Sequence, residues 1–320
     1  MQVFDAKATR DALPFERLIP ALREMFAAGC EVPPRHVHRI DALCGGEAEA
    51  VTSLIMPAWQ AGRAYGVKIV NIAPGNAARG MPALHASYVL HDAQTGEPLA
   101  LIDGDQITMR RTAAASALAA ASLAAPQAKT LLVVGAGRVA RLLPEAYRVV
   151  RPSIEHVTVW ARVPERAQAL ADEWRANGFD ARPAADLQTA VGEADIVSCA
   201  TLATEPVVMG RWLRAGSHLD LIGSFTPAMR EADDDSFRDA RLYIDTDEAL
   251  AKSGDLIGPL ARGVIRADDV AGTLATLARG ESIVRTAPDE RTVFKSVGTA
   301  LEDLAAAVLV WQRRALPGCG

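Results

Sequence analysis

The sequence predicts an α/β protein with a doubly wound parallel sheet and, ahead of it, a smaller α+β region. Between residues 31 and 103 short β-rich runs are separated by turn residues, which is typical of a mainly antiparallel sheet. From Thr130 onward short apolar strands alternate with helical stretches, which is typical of a parallel sheet covered by helices on both faces. The 320 residues suffice for two such domains.

The first region opens with apolar residues at helical spacing, which predict a helix over residues 13–29 that ends at Gly29. Four strands are expected after it, at residues 53–59, 67–72, 85–92 and 98–103. Turns are expected at Cys44-Gly45-Gly46, Pro74-Gly75-Asn76 and Gln94-Thr95-Gly96. An alanine-rich helix over residues 112–125 then ends at Pro126, where the sequence places the domain boundary.

The second region contains five apolar runs that are expected to form strands, at residues 130–134, 157–160, 195–201, 218–223 and 242–247. Helices are expected at residues 138–150 and 164–178. After Lys295 one long helix is predicted, with no further strand.

Composition and charge exclude several classes of protein. The formal net charge is -5 and the Lys and Arg residues form no block, so we expect no binding to nucleic acid or to an anionic membrane. The most apolar run, residues 113–125, is too short to cross a bilayer, and because the N-terminal residues are charged and lack an apolar segment we expect no secretory signal there. The cysteines, Cys30, Cys44, Cys199 and Cys319, are scattered, which favours a reduced, cytoplasmic protein.

A dinucleotide-binding turn is indicated by a G-x-G-x-x-A motif that follows a predicted strand and opens a predicted helix. It consists of Gly135-Ala136-Gly137-Arg138-Val139-Ala140. Gly135 permits a tight turn, Gly137 lets the backbone approach a pyrophosphate, and Ala140 lets the helix pack on the strand. An ordinary glycine turn is the alternative, but the strand–helix alternation after it favours a Rossmann domain.

The end of the second predicted strand indicates which nucleotide is preferred. An NAD-selective site usually carries a carboxylate there for the ribose 2′-hydroxyl, but Trp160 is followed by Ala161 and Arg162. Because Arg162 and Arg166 can pair with a 2′-phosphate, we expect NADPH to be preferred over NADH. The alternative is that both arginines are solvated surface residues.

Three cationic residues, Arg35, Lys68 and Arg111, stand among apolar neighbours in the first region. Lys68 interrupts the apolar run of a predicted strand, where an ammonium is costly unless it is paired or functional. An edge-strand lysine whose head reaches water is the alternative. His36 and His38 have the spacing of metal ligands but no evident third ligand, so we expect no metal site.

Long ordered strings over nearly the whole chain resemble the ornithine cyclodeaminase/mu-crystallin family. They are MPAWQAGRAYGVKIVN, GEPLALIDGDQITMRRTAAASALA, GAGRVA, ADIVSCATLATEP, GSHLDLIGSFTPAMREADDDSF and VFKSVGTALEDLAAA. The resemblance implies a homodimer. It also implies a discontinuous α+β substrate-binding and dimerisation domain, residues 1–125 and 296–320, around a Rossmann domain at residues 126–295.

The resemblance also implies roles for individual residues. Arg35 and Arg111 match the pair of arginines that bind the substrate carboxylate, and Lys68 matches the catalytic lysine. Arg39 competes with Arg35 for its role. Thr201 and Val297 are expected to contact the nucleotide together with the glycine-rich turn and Arg162.

Two departures favour one subgroup of the family. Ornithine cyclodeaminases carry an aspartate where this chain has Ser224-Phe225, and a glutamate where it has Leu54-Ile55. A diamine substrate needs an anionic partner for its distal ammonium. The sequence therefore resembles the cyclic ketimine reductases, which implies reduction of Δ1-pyrroline-2-carboxylate to L-proline or Δ1-piperideine-2-carboxylate to L-pipecolate, with Phe225 against the ring. An ornithine cyclodeaminase and a mu-crystallin-like binding protein are the alternatives.

Overall fold

The computed structural model describes residues 1–41 and 50–313. Contacts divide the chain into a first unit, residues 1–111 with the chain from Thr299 onward, and a second unit, Thr112–Gly298. Among the described helices none is long and apolar enough to cross a bilayer. The expected turn at Cys44-Gly45-Gly46 lies outside the described residues.

The first unit is built on a six-stranded sheet, and the helix that follows it leads into the second unit. The elements in chain order are β1 (Gln2–Phe4), α1 (Ala6–Ala12), α2 (Phe15–Ala28), β2 (His36–Ile40), β3 (Val51–Gln60), β4 (Ala64–Ile72), β5 (Leu84–Asp92), β6 (Pro98–Asp103) and α3 (Gly104–Leu123). The strand order is β1-β6-β5-β4-β3-β2, and every pair except β1–β6 is antiparallel.

The second unit is built on an eight-stranded, all-parallel sheet. Its elements are β7 (Thr130–Val134), α4 (Leu143–Val150), β8 (His156–Trp160), α5 (Pro164–Ala176), β9 (Asp180–Pro183), α6 (Leu187–Glu193), β10 (Ile196–Cys199), β11 (His218–Leu221), β12 (Ala240–Ile244), α7 (Glu248–Lys252), α8 (Gly254–Ala261), β13 (Val270–Thr273), α9 (Leu274–Arg279) and β14 (Arg291–Lys295). The order β13-β12-β14-β11-β10-β7-β8-β9 reverses direction between β7 and β10. Ligands bind at such a switch point in open α/β sheets. The predicted α/β class with a Rossmann sheet is confirmed.

The chain returns to the first unit in α10 (Ala300–Arg313), which packs against β3, β4 and α2. Alternate residues of β4 are buried, because successive side chains of a strand point to opposite faces of the sheet. Lys68 belongs to the buried set, and Val67 and Ile69 on the other face are partly exposed. This alternation places Lys68 on the face of β4 that α10 covers.

Several sequence-based boundaries are wrong. The alanine-rich helix begins at Gly104 rather than at residue 112. The side chain of Asp103 accepts a hydrogen bond from the backbone amide of Gln106 and so caps the helix at this earlier position. The division between units falls at 111/112 rather than at Pro126. The second half of α3 belongs to the second unit, where Ser116 Oγ donates to Asp220 at 3.1 Å. The sequence analysis also did not identify several elements, among them β1, α1, β9, α6, α7, α8, β13, α9 and β14. The roles assigned to the two domains stay predictions.

Candidate functional site

The first unit contains a buried ion pair centred on Lys68. The Lys68 ammonium lies 2.6 Å from Asp303 Oδ2, and the two side chains are 1% and 0% exposed. Lys68 comes from the middle of β4, and Asp303 comes from the first turn of α10. A buried ammonium with a carboxylate partner avoids most of the cost that isolation would impose.

Arg111 joins the same cluster from α3. Its Nη1 lies 2.6 Å from Glu302 Oε2 and its Nε 3.0 Å from Asp303 Oδ1. The side chain of Arg111 is 9% exposed and that of Glu302 is fully buried. Two cations therefore face two carboxylates, and Asp303 contacts both cations. We call these four residues, Lys68, Arg111, Glu302 and Asp303, the ion cluster.

Burial is the main influence on the pKa of Lys68 and lowers it to about 8, while Asp303 opposes the change and Arg111 adds to it. An ammonium with a pKa in this range can release a proton near neutral pH. That property suits a general acid or base, since catalysis of this kind is most efficient when the pKa lies near the working pH.

Tyr88 on β5 is paired across the sheet with Lys68 and is 1% exposed. Its hydroxyl has no hydrogen-bond partner among the described residues. Gly66 provides the room for it, because a Cβ at Gly66 would lie only 2.6 Å from Tyr88 Cζ. Burial raises the pKa of Tyr88 well above its usual value, so the phenol stays protonated beside the ion cluster.

The other predicted substrate ligand lies at the edge of the first unit's sheet. Arg35 directly precedes the edge strand β2 and is partly exposed. Arg39 lies within β2, where its Nε is 2.9 Å from Asp41 Oδ1. The rings of His36 and His38 are stacked on this exposed strand. Among the described residues no group of three or more His, Cys, Asp and Glu side chains could hold a metal ion.

The glycine-rich turn of the second unit leaves β7 at the switch point. Gly135 adopts φ 121°, and a Cβ there would lie 2.5 Å from the carbonyl oxygen of Ala200. Gly137 is exposed and a Cβ there would meet nothing within 4 Å, whereas Ala140 is fully buried. The open space at Gly137 is what a phosphate needs to approach the backbone, so these residues fit a dinucleotide.

The helix after this turn begins later than expected. Ala140–Leu142 form a single 3-10 turn and α4 begins at Leu143, with Pro144 in its first turn. Proline lacks an amide hydrogen and is favoured at this position, which explains the late start. Ala136, Arg138 and Val139 thus lie in the turn itself. The polar backbone groups of the turn precede the regular helix.

Thr201 and Val297 follow strands β10 and β14, and buried carboxylates hold both. Glu231 accepts hydrogen bonds from Thr201 N at 2.6 Å, Thr201 Oγ1 at 2.8 Å and Gly223 N at 2.6 Å. Asp245 Oδ2 accepts hydrogen bonds from the backbone amides of Val297 and Gly298, with an N–O distance of 2.7 Å in each case. Burial raises the pKa of Glu231 to about 7. These bonds fix the loops at the carboxyl end of the sheet.

The remaining predicted residues of the second unit are surface-exposed. Arg162 and Arg166 are exposed beyond the end of β8. Phe225 is 42% exposed. The neighbouring Ser224 is buried and donates to the carbonyl of Met229 at 2.6 Å. A hydroxyl with this backbone partner offers no anion for a second substrate ammonium.

Sequence reasoning missed the carboxylates Glu302, Asp303, Glu231 and Asp245. A signal for the first two was present, because Glu302-Asp303 stand side by side in an otherwise apolar helix whose next residues are leucine and alanine. Adjacent acids cannot both face solvent on a helix that is buried all round. For Glu231 no signal was present, since the acidic and polar residues around it predict an exposed segment.

Comparisons with known proteins agree with this architecture. A profile of the ornithine cyclodeaminase/mu-crystallin family matches residues 45–316. A Δ1-pyrroline-2-carboxylate reductase of Paracoccus denitrificans is 44% identical over 257 residues, which are 80% of this chain and 81% of that protein.

Solved structures extend the similarity to almost the whole chain. The Δ1-pyrroline-2-carboxylate reductase of Thermococcus litoralis, in complex with NADH and L-proline, has a TM-score of 0.90 and 32% identity and covers 98% of this chain and 97% of its own. An archaeal alanine dehydrogenase dimer with bound NAD has a TM-score of 0.88 and 26% identity and covers 98% of this chain and 95% of its own.

Proposed function

The chain belongs to the ornithine cyclodeaminase/mu-crystallin family, and from that premise we propose that it reduces Δ1-pyrroline-2-carboxylate to L-proline with a nicotinamide nucleotide. The observation that carries the proposal is the ion cluster, in which a buried ammonium that can titrate near neutral pH adjoins a guanidinium. The reductases of Paracoccus and Thermococcus, whose names state this reaction, support it.

The roles of the residues follow from the chemistry of the substrate, which has one carboxylate and one imine. Arg111, with Arg35 or Arg39, binds the carboxylate, since guanidinium and carboxylate form paired hydrogen bonds. Lys68 donates its Nζ proton to the imine nitrogen and recovers a proton from solvent. The nucleotide, when bound, supplies the hydride that C2 accepts.

The second unit holds the nucleotide in this proposal. The turn from Gly135 to Ala140 accommodates the pyrophosphate, and Thr201 and Val297, held by Glu231 and Asp245, line its path. Exposed Arg162 pairs with a 2′-phosphate, so NADPH is the preferred form. The archaeal alanine dehydrogenase dimer supports a homodimer here.

The test is a pair of assays on the purified protein. The first follows loss of nicotinamide absorbance with NADPH or NADH and Δ1-pyrroline-2-carboxylate, with Δ1-piperideine-2-carboxylate as the larger ring, and identifies the amino acid formed. The second follows ammonia release from L-ornithine with NAD+. We expect imine reduction and no ammonia. Ammonia release without imine reduction would assign an ornithine cyclodeaminase, and nucleotide binding without either reaction would assign a binding protein.

A further inference from the structure

We propose that Asp303 is a positioning residue. It holds the proton donor Lys68 in one fixed arrangement with Arg111, the arginine that binds the substrate carboxylate. The inference rests on the proposed function for its catalytic meaning. Its geometric basis is that the two oxygens of one carboxylate are divided between the two cations, with Oδ2 at 2.6 Å from Lys68 Nζ and Oδ1 at 3.0 Å from Arg111 Nε.

The three residues come from three different elements, β4, α3 and α10. A long lysine side chain and a long arginine side chain each have many rotamers, and ordering them costs entropy. One buried carboxylate between them selects a single arrangement for both. The ammonium and the guanidinium would otherwise repel each other across this site.

A purely structural role explains this arrangement poorly. Replacing a buried ion pair with apolar residues of similar volume is often neutral or stabilising, so an ion pair is a weak source of stability. Glu302 already neutralises Arg111 through Nη1. The carboxylate of Asp303 is thus needed for Lys68 and for the spacing between the two cations.

The charged and titratable groups that face Lys68 are Asp303 and Glu302 from α10, Arg111 from α3 and Tyr88 from β5. Asp303 favours the ammonium form most strongly, and Arg111 disfavours it. Without the Asp303 charge, Lys68 would lose its proton at lower pH. A lysine acting as the acid would then fail at a pH where the native enzyme still works.

The first experiment compares the pH dependence of kcat in Asp303→Asn and in the matched control Glu302→Gln. We expect the alkaline limb of Asp303→Asn to move to lower pH by about 1 to 3 pH units, the range over which a nearby opposite charge acts. In Glu302→Gln the limb should move less than half as far, while KM for the imino acid rises. An Asp303→Asn limb at the native pH would overturn the proposal.

Asp303→Glu keeps the charge and moves the carboxylate by one methylene. We expect its alkaline limb near the native pH but its kcat lower by about tenfold or more, because misplacement of about 1 Å is costly in catalysis. A native kcat in Asp303→Glu would overturn the positioning role, and this variant serves if Asp303→Asn does not fold.

The last measurement needs no substrate. Thermal unfolding of Lys68→Met, Asp303→Asn and the double variant forms a cycle. We expect the double variant to lose less in Tm than the sum of the two single losses, because Asp303→Asn leaves the buried Lys68 ammonium without this carboxylate and Lys68→Met leaves Asp303 Oδ2 without this cation. Additive losses would overturn the pairing. If the native protein reduces neither imino acid, the proposed function fails while this cycle still decides whether Asp303 holds Lys68.

Discussion

Gly66 faces the ring of Tyr88 so closely that any side chain there must displace it. A Cβ at Gly66 would lie 2.6 Å from both Cζ and Cε1 of Tyr88, and both residues are buried. We expect Gly66→Ala to lower the free energy of unfolding by about 1–3 kcal/mol, as overpacking in a core does. Urea unfolding of the two proteins measures the difference.

The matched control is Gly66→Ala in a Tyr88→Phe background. Removing the hydroxyl relieves part of the clash and deletes a buried polar group that has no partner among the described residues. The cost of Gly66→Ala should then be smaller, though not zero, because the ring remains. Equal costs in the two backgrounds would mean that the clash is not with Tyr88.

Lys68 is the residue whose replacement should affect chemistry most. We expect Lys68→Met, which keeps the volume of the stem, to lower kcat by about 100-fold or more, since general acid catalysis typically contributes about 10²–10⁴. The residual activity should rise as pH falls, because the free imine then protonates in solution. NADPH affinity, measured by fluorescence titration, should not change. A kcat near the native value would remove Lys68 from the acid role.

Arg162 should decide the choice of nucleotide. Its exposed guanidinium stands where an NAD-selective site carries a carboxylate. We expect Arg162→Asp to shift the ratio of kcat/KM for NADPH over NADH toward NADH by about tenfold, or about 1.4 kcal/mol. Arg182→Asp, another exposed arginine of the second unit, is the control and should leave the ratio unchanged. An unchanged ratio in Arg162→Asp would leave Arg162 as a surface residue only.

A functional residue was predictable from the sequence where its side chain differs in polarity from the regular pattern around it. Lys68 interrupts an apolar strand, and the structure places it in the buried ion cluster with Arg111. Its partner Asp303 was not identified, because it lies 235 residues further along the chain and pairing over such a separation leaves no local pattern. The same applies to Glu231, whose bonds to Thr201 depend on a loop closing beside β10.

At the scale of elements, a buried histidine ties α3 to the parallel sheet. His218 begins β11, and its Nδ1 lies 2.9 Å from Thr292 Oγ1 in β14. That hydroxyl donates to the carbonyl of Leu123 at the end of α3, at 3.1 Å, so it accepts from His218 Nδ1–H. Burial lowers the pKa of His218 to about 3, with Arg285 and Arg151 adding to the effect.

This histidine should make stability depend on pH. The unfolded chain binds a proton at His218 below about pH 6.5, and the folded chain does so only near pH 3. Unfolding therefore becomes easier as pH falls through this window, by about 1.4 kcal/mol per pH unit from this group. His218→Asn cannot titrate. We expect the unfolding free energies of native protein and variant to converge between pH 6.5 and pH 5, and a constant difference would contradict the assignment.

Elements were predictable where the spacing of apolar residues and the positions of turn residues agreed. This is the case for β3 to β6, in which side chains of different polarity alternate and turn residues lie at the ends of the strands. They were missed where the signal was short or polar. β9 and β13 are four residues each, and β13 contains only small side chains. The start of α4 was misplaced because the motif does not reveal that Pro144 sets the first turn.

At the scale of the whole molecule, the first unit's sheet has a face with partly exposed apolar side chains, and we expect a second copy of the chain to bind there. One face of β4 is buried by α10, and the opposite face carries partly exposed apolar side chains from adjacent strands. They include Val67, Ile69, Val89 and Leu101. Contiguous apolar surface of this kind is typical of association sites.

We therefore expect analytical ultracentrifugation of the native protein to give a mass of twice the 33.9 kDa of one chain. The Ile69→Glu variant should have a mass closer to that of a single chain. A carboxylate on this face would be buried without a partner in the dimer, at a cost of several kcal/mol. Val163→Glu, at an exposed valine of the second unit, is the control and should leave the dimer intact. Because Ile69 points away from the ion cluster, its effect on activity should follow dissociation alone. A dimer that persists in Ile69→Glu would place the interface elsewhere.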